Sequence, residues 1–277
     1  MTRKAALLED RGVVQVGGED ASSFLQGLLT NDVERLQPGE ARYAALLSPQ
    51  GKILFDMLVV RTPGDNRPAY LLDCAAAQAA DLARRLGFYK LRARVAVADV
   101  SADHGVVAGW GEEPETAGGG ILYRDPRTAL LGWRAILPRA KAEAFGEGHV
   151  HEYDALRIAL AVPKGGVDFA YGDAFPHDAN LDTLEGVDFG KGCYVGQEVV
   201  SRMRHRGTAR KRIARVKVAA DAPPPGTPVL DGGLAVGTLG SSAGREALAM
   251  LRLDRVEEAK VAGRGLSAGG VGVTLAE

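Results

Sequence analysis

From about residue 205 the chain is written in short apolar runs, RIARVKVA, LAVGTLG, ALAMLRL and KVAG, separated by Pro-Pro-Pro-Gly, Asp-Gly-Gly and Ser-Ser-Ala-Gly. Strands this short, with turn residues between them, solve their edge problem by closing on one another. They predict a small antiparallel β-barrel over residues 205–277.

Residues 1–204 are written differently. Asp20 is placed to cap a helix in which Phe24, Leu25, Leu28 and Leu29 recur at helical spacing. YAALL (43–47) and ILFDMLVV (53–60) read as strands joined through Pro49-Gln50-Gly51. AYLLD is a third strand, running into an alanine-rich helix, CAAAQAADLARRL, that ends near Gly87. LRARVAVAD alternates as a half-buried strand does, and GEEPETAGGG reads as an exposed loop. EYDALRIAL looks helical and is stopped by Pro163 and Gly165-Gly166. The fold class is α+β: an α/β body followed by the barrel.

Apolar residues make up 46% of the 277, enough for a substantial core, and the net charge is −1. No global field draws such a chain to nucleic acid or membrane, so polyanion binding would need a local patch. The opening MTRKAALLEDRG lacks the apolar stretch of a signal peptide, and no run approaches the roughly 18 apolar residues of a bilayer span. Cys74 and Cys193 lack CxxC spacing, which argues against a zinc site and against a disulfide framework. The expectation is a cytoplasmic protein with reduced thiols and no metal ligands, in which nothing demands more than a monomer.

KGCYVGQEVVSRMRHRG, residues 191–207, sits on a charge step. Val167 to Gly190 carries six acids and no Lys or Arg, while Arg202 to Lys217 carries eight Lys or Arg and no acid. A solvated loop followed by a basic strand face would produce this pattern, and so would a groove for an anionic ligand. The basic run contains no aromatic residue for base stacking, which weakens a nucleic-acid reading. Gly192 and Gly196 permit backbone conformations that let amides converge. Lys191 and the basic run would favour the Cys193 thiolate, and Gln197 and Glu198 add an amide and a base. Cysteine is also a common buried residue, so Cys193 is a working thiol, a ligand contact or core filling. His177 and His205 are candidates for a Cys–His pair, but neither lies in a recognisable hydrolase signature.

KGCYVGQE resembles the signature of the YgfZ-type folate-binding proteins. These are relatives of the glycine-cleavage T-protein, an aminomethyltransferase, and include a mitochondrial iron–sulfur maturation factor. ASSFLQGLLTNDV, YAALLSPQGKILFDMLVV, YLLD, LRARVAVAD, ALRIALAVP and FPHDANLD follow in that family's order, so the resemblance covers most of residues 20–207. It implies a GcvT-like fold, its body in two interleaved subdomains, with tetrahydrofolate in a central cavity of a three-part ring. It places Asp56 at the T-protein's functional aspartate. From the residues alone, a lone acid among Ile53, Leu54, Phe55, Met57 and Leu58 is either the polar face of an edge strand or a working group.

Asp56 and Cys193 are thus the candidate catalytic residues. Asp56, Lys191, Tyr194, Gln197, Glu198 and Arg202 are the candidate folate contacts, and the basic run would suit a polyglutamate tail. Two departures from the T-protein matter: Ala159 stands where it carries a glutamate, and Cys193 where it has no cysteine. Within the YgfZ group, Ala161 replaces a usual glycine. The implied function is a tetrahydrofolate-binding accessory factor for assembly or repair of iron–sulfur proteins, with client or assembly proteins as partners. The alternatives are a folate-dependent one-carbon transferase of the T-protein type and a folate-free binder of RNA or acidic partners.

Overall fold

The computed structural model describes residues 4–64, 69–145, 149–206 and 210–276. In chain order its elements begin with β1 (Lys4–Leu7), β2 (Arg11–Gly17), α1 (Ala21–Gln26), β3 (Ala41–Leu47), β4 (Ile53–Arg61), β5 (Ala69–Ala75), α2 (Ala79–Tyr89) and β6 (Ala96–Asp99). Next come β7 (His104–Trp110), β8 (Ile121–Arg124), β9 (Trp133–Pro138), α3 (Arg139–Phe145), α4 (Val150–Ala159) and α5 (Gln197–Arg206). The C-terminal part holds β10 (Lys211–Val218), β11 (Pro228–Asp231), β12 (Leu234–Ala243), β13 (Glu246–Arg252), α6 (Leu253–Val261), β14 (Leu266–Ala268) and β15 (Val271–Leu275).

The body contains two antiparallel sheets. One has the order β3-β4-β5-β2-β6, the other β1-β7-β9-β8. Strand β4 is an interior strand, and the two-residue alternation of its side chains sorts them between two covered faces. Phe55, Met57 and Val59 pack with Leu25 of α1, Leu29 just beyond it, and Leu82 and Leu86 of α2. Leu58 and Val60 turn the other way, into a core shared with Val106, Ala108 and Ile136 of the second sheet. Asp56 has the parity of Leu58 and Val60 and therefore faces this inner side.

Strands β10-β13-β12-β11-β14-β15 close into a six-stranded antiparallel barrel, as the turn-rich pattern predicts. One buried carboxylate gathers several of the contacts that join the barrel to the body. Asp168 accepts from the Ser241 amide at 2.7 Å and hydroxyl at 2.5 Å, from Arg157 at 3.1 Å and from the Lys164 amide at 2.7 Å. The Asp168 carboxylate lies where a Cβ at position 240 would stand, so only glycine fits at Gly240.

Local expectations need correction at several points. Asp20 makes no side-chain cap; its carboxylate instead accepts from the amide of Arg94 at 2.8 Å and from its guanidinium. LRARVAVAD is a strand only over Ala96–Asp99, because Leu91 turns to φ 40 and diverts the chain. The alanine-rich helix runs through Gly87 to Tyr89, and Cys74 belongs to β5. KVAG lies in α6 and the turn after it: the barrel uses a helix where turn chemistry suggested another strand. The Ser-Ser-Ala-Gly segment is mostly strand, with only Gly244-Arg245 turning between β12 and β13.

Candidate functional site

Asp56 is 5% exposed and lies between β3 and β5, which removes the edge-strand reading. Its carboxylate accepts from the Tyr171 hydroxyl at 2.5 Å and the Tyr43 hydroxyl at 3.1 Å. Burial first, then the adjacent carboxylate, pushes both phenols up, so they remain donors.

Beside it lies a cluster of charges for which the sequence reading offered no candidate. Asp73 of β5 accepts from Arg11 at 2.6 Å, Arg134 at 2.6 Å and the Tyr123 hydroxyl at 3.2 Å. Arg134 and Arg127 both reach Asp125, at 3.0 and 2.7 Å, and both donate to the Tyr153 hydroxyl, at 2.7 and 3.1 Å. Burial would raise the carboxyls of Asp73 and Asp125, but the guanidiniums more than reverse this and hold both below the ordinary range. Three cations (Arg11, Arg127, Arg134) face three carboxylates (Asp56, Asp73, Asp125), so the interior is charged yet balanced. The signal was present: Asp73 in YLLDC is as isolated among apolar residues as Asp56.

The 191–198 segment is built on a different plan. Lys191 is 7% exposed, and its ammonium donates to the carbonyls of Gln26 (2.8 Å), Leu29 (2.6 Å) and Asn31 (2.9 Å). It therefore caps the chain leaving α1 and is not a free partner for the thiol. Burial pulls its pKa down to about 8. Gly196 takes φ +83, and a Cβ there would stand 2.6 Å from the Ser48 carbonyl oxygen, so glycine is needed where the loop crosses the 48–51 turn. Tyr194 is buried, its phenol raised to about 12 by desolvation. Between these anchors Cys193 is exposed and free. Gln197 and Glu198 open α5, the first half-buried and the second exposed, and Arg202 is exposed further along it. Cys74 is the opposite case: buried in β5 against the Gly12 carbonyl, with burial pushing its thiol up to about 12.

The basic run does not form one groove. Arg202 and Arg204 lie on α5, while Arg212 pairs with Asp182, Arg215 donates to the Ala159 carbonyl and Lys217 faces Glu246. Residues 207–209 and the Arg206 side chain fall outside the described residues. Nor is the acidic stretch simply a solvated loop, since Asp168 and Asp178 are buried and hydrogen-bonded.

Two adjoining cavities open beside these elements. The larger, about 800 Å³, is lined by Glu40, Arg42, Arg124, Asp125, Asp188 and Asn31, among others. The smaller, about 530 Å³, adds His177, Met203, Arg204 and Arg212, and the two share Glu185, Val187 and Phe189. Both volumes are in the range of small-molecule sites. Asp56, Lys191, Cys193, Tyr194, Gln197, Glu198 and Arg202 line neither; Asp56 is bonded to Tyr43 of β3, the strand whose Ala41 and Arg42 line the larger cavity.

This geometry has recognisable relatives. The GCVT N-terminal domain model matches residues 4–116, and the CAF17 C-terminal beta-barrel domain model matches residues 210–277. In structure, the glycine cleavage system aminomethyltransferase T from Bartonella henselae superposes with a TM-score of 0.79, covering 99% of this chain and 85% of that one, at 18% identity. The fold is therefore GcvT-like. In sequence, iron–sulfur cluster assembly factor IBA57, mitochondrial, from Mus musculus is 33% identical over 90% of this chain and 78% of its own length. The human protein of the same name is 32% identical over 90% and 78%. The IBA57 homolog of Mycosarcoma maydis is 38% identical over 81% of this chain, which spans 60% of that longer relative.

These relatives are mitochondrial by name, which overturns the expectation of a cytoplasmic protein. That expectation rested on cysteine usage and on the opening residues, and reduced thiols report a reducing compartment without saying which. No helix among the described residues is long and apolar enough to cross a membrane. With a GcvT-like body, a CAF17-type barrel and these identities, the chain belongs to the IBA57 family.

Proposed function

We propose that this protein serves the assembly of iron–sulfur proteins and that Cys193 is its working thiol. The observation that carries the reading is the contrast in construction around that residue: Lys191, Tyr194 and Gly196 are fixed, and the thiol between them is exposed. The names of the relatives supply the direction. A cluster needs about four ligands, so one thiol cannot hold it alone. Cys193 contributes one ligand to a cluster shared with a partner chain that supplies the others. The cluster is cargo.

Tetrahydrofolate fits the adjoining cavities better than a position at Asp56, whose oxygens already receive two tyrosine hydroxyls. The larger cavity offers the carboxylates of Glu40, Glu185 and Asp188 to the N–H donors of a pterin, and the smaller offers guanidiniums to an anionic tail. In this reading Asp56 is a positioning residue that fixes Tyr43 on β3, the strand whose Ala41 and Arg42 line the larger cavity. Bound folate would supply a one-carbon carrier or a reduced pterin; Ala159, which leaves the T-protein's carboxylate missing, favours an accessory role over transfer.

The experiment is anaerobic mixing with a carrier protein loaded with a [2Fe–2S] cluster, followed by gel filtration monitored in the visible. Wild type co-elutes with cluster absorbance and Cys193→Ser does not. Equal co-elution of both proteins would dispose of the thiol's role.

A further inference from the structure

His177 is 4% exposed, and among the described residues neither of its ring nitrogens has a hydrogen-bond partner. A buried polar group left unsatisfied destabilises the fold, so such a group marks a place where something outside the chain completes the bonding. His177 lines the smaller cavity. Desolvation lowers its pKa, leaving a neutral ring with one N–H donor and one bare nitrogen.

Arg204 lines the same cavity. Its guanidinium carbon lies 4.0 Å from the centre of the Phe189 ring, and no carboxylate pairs with it among the described residues. Stacking fixes the plane of the guanidinium while leaving its edge N–H groups for a ligand. The neighbouring Arg212 is different, being held by both oxygens of Asp182 at 2.9 and 2.6 Å, so these two charges cancel. His177 and Arg204 belong to the smaller cavity alone, whereas the Glu185 carboxylate stands at the edge shared with the larger one. A carboxylate is therefore repelled at the shared edge and received beside Arg204.

We propose that His177 and Arg204 form a carboxylate-binding subsite for the glutamate tail of a folate whose pterin occupies the adjoining larger cavity. The proposal rests on the folate reading given above. Arg204 receives a carboxylate through two parallel N–H bonds, and the His177 N–H is a third donor. Phe189, which lines both cavities, packs against the linking benzoyl ring.

The test is anaerobic calorimetry of wild type, Arg204→Gln and His177→Phe with three probes: tetrahydrofolate monoglutamate, tetrahydrofolate triglutamate and free γ-linked triglutamate. Arg204 is exposed on α5, so its replacement leaves the fold intact even if His177→Phe disturbs packing. For wild type the triglutamate is expected to bind about tenfold tighter than the monoglutamate, the worth of one charge-assisted pair. Both variants are expected to lose that advantage, and to weaken the monoglutamate, which brings fewer carboxylates to the subsite, by a smaller factor than the triglutamate. Folate binding with no tail preference, or a preference that survives Arg204→Gln, overturns the subsite and leaves the folate reading standing. Binding of free triglutamate without any binding of tetrahydrofolate supports the subsite and removes the folate reading. No binding of any probe overturns both.

Discussion

Strand β5 and the 191–196 loop each carry a cysteine next to charged residues, and the molecule uses them in opposite ways. In β5, Asp73 and Cys74 are sealed: the carboxylate is held by two guanidiniums and a tyrosine, and the thiol is buried with its pKa at about 12. In the loop, the charge is what is sealed. Lys191 is spent on three carbonyls while Cys193 stays in solvent. Charge density near a thiol therefore does not set its access to solvent in this protein; the way the backbone around it is anchored does.

The sharpest way to break this comparison is at Asp73. Asp73→Ala takes from Arg11 its carboxylate partner and leaves Arg134 with Asp125 alone, and is expected to destabilise the protein by about 3–5 kcal/mol, read by urea denaturation. A loss under about 1 kcal/mol would mean the interior charges are not a coupled network. The same network sets an acid limit. The carboxyls of Asp73 and Asp125 are depressed in the folded state, so their contribution is present above the unfolded value of about 4 and is lost as pH falls below it. Denaturation midpoints measured between pH 3 and 7 check this, and a flat profile contradicts it.

On the loop side the effects are smaller. Gly196→Ala forces a Cβ against the Ser48 carbonyl at a left-handed φ and is expected to cost about 1–3 kcal/mol. It should also raise the mobility of the loop, visible as faster hydrogen exchange at residues 192–197. Ala161 offers the smallest and opposite effect. It holds φ 55 just past the end of α4, a conformation that glycine adopts without the cost of a Cβ, so Ala161→Gly is expected to stabilise by about 1 kcal/mol. An unchanged melting temperature would show that the turn tolerates alanine without strain.

Much of this architecture could be read from residues alone. The barrel announces itself through turn chemistry, and β3 and β4 through YAALL and ILFDMLVV, because short-range pattern determines short strands. The KGCYVGQE stretch drew attention to Cys193, which the structure leaves exposed between anchored neighbours. What failed was partnership across long sequence distances. Lys191 contacts carbonyls 160 to 165 residues away, and Asp73 meets Arg11 and Arg134 from three different strands. A basic run looks continuous in sequence, yet at 202–217 it passes from a helix to a barrel strand and its charges meet separate partners: the Phe189 ring, Asp182, the Ala159 carbonyl and Glu246. His177 was singled out only as a candidate partner for a cysteine, since its missing hydrogen bonds are a property of packing.

The central claim is that Cys193, and not Cys74, serves iron–sulfur assembly. The most direct measurement is the activity of iron–sulfur enzymes in cells whose own copy is replaced by wild type, Cys193→Ala or Cys74→Ala, at matched protein levels. The expected result is full activity with wild type and Cys74→Ala and a severe loss with Cys193→Ala. Activity with Cys193→Ala equal to wild type would contradict the account.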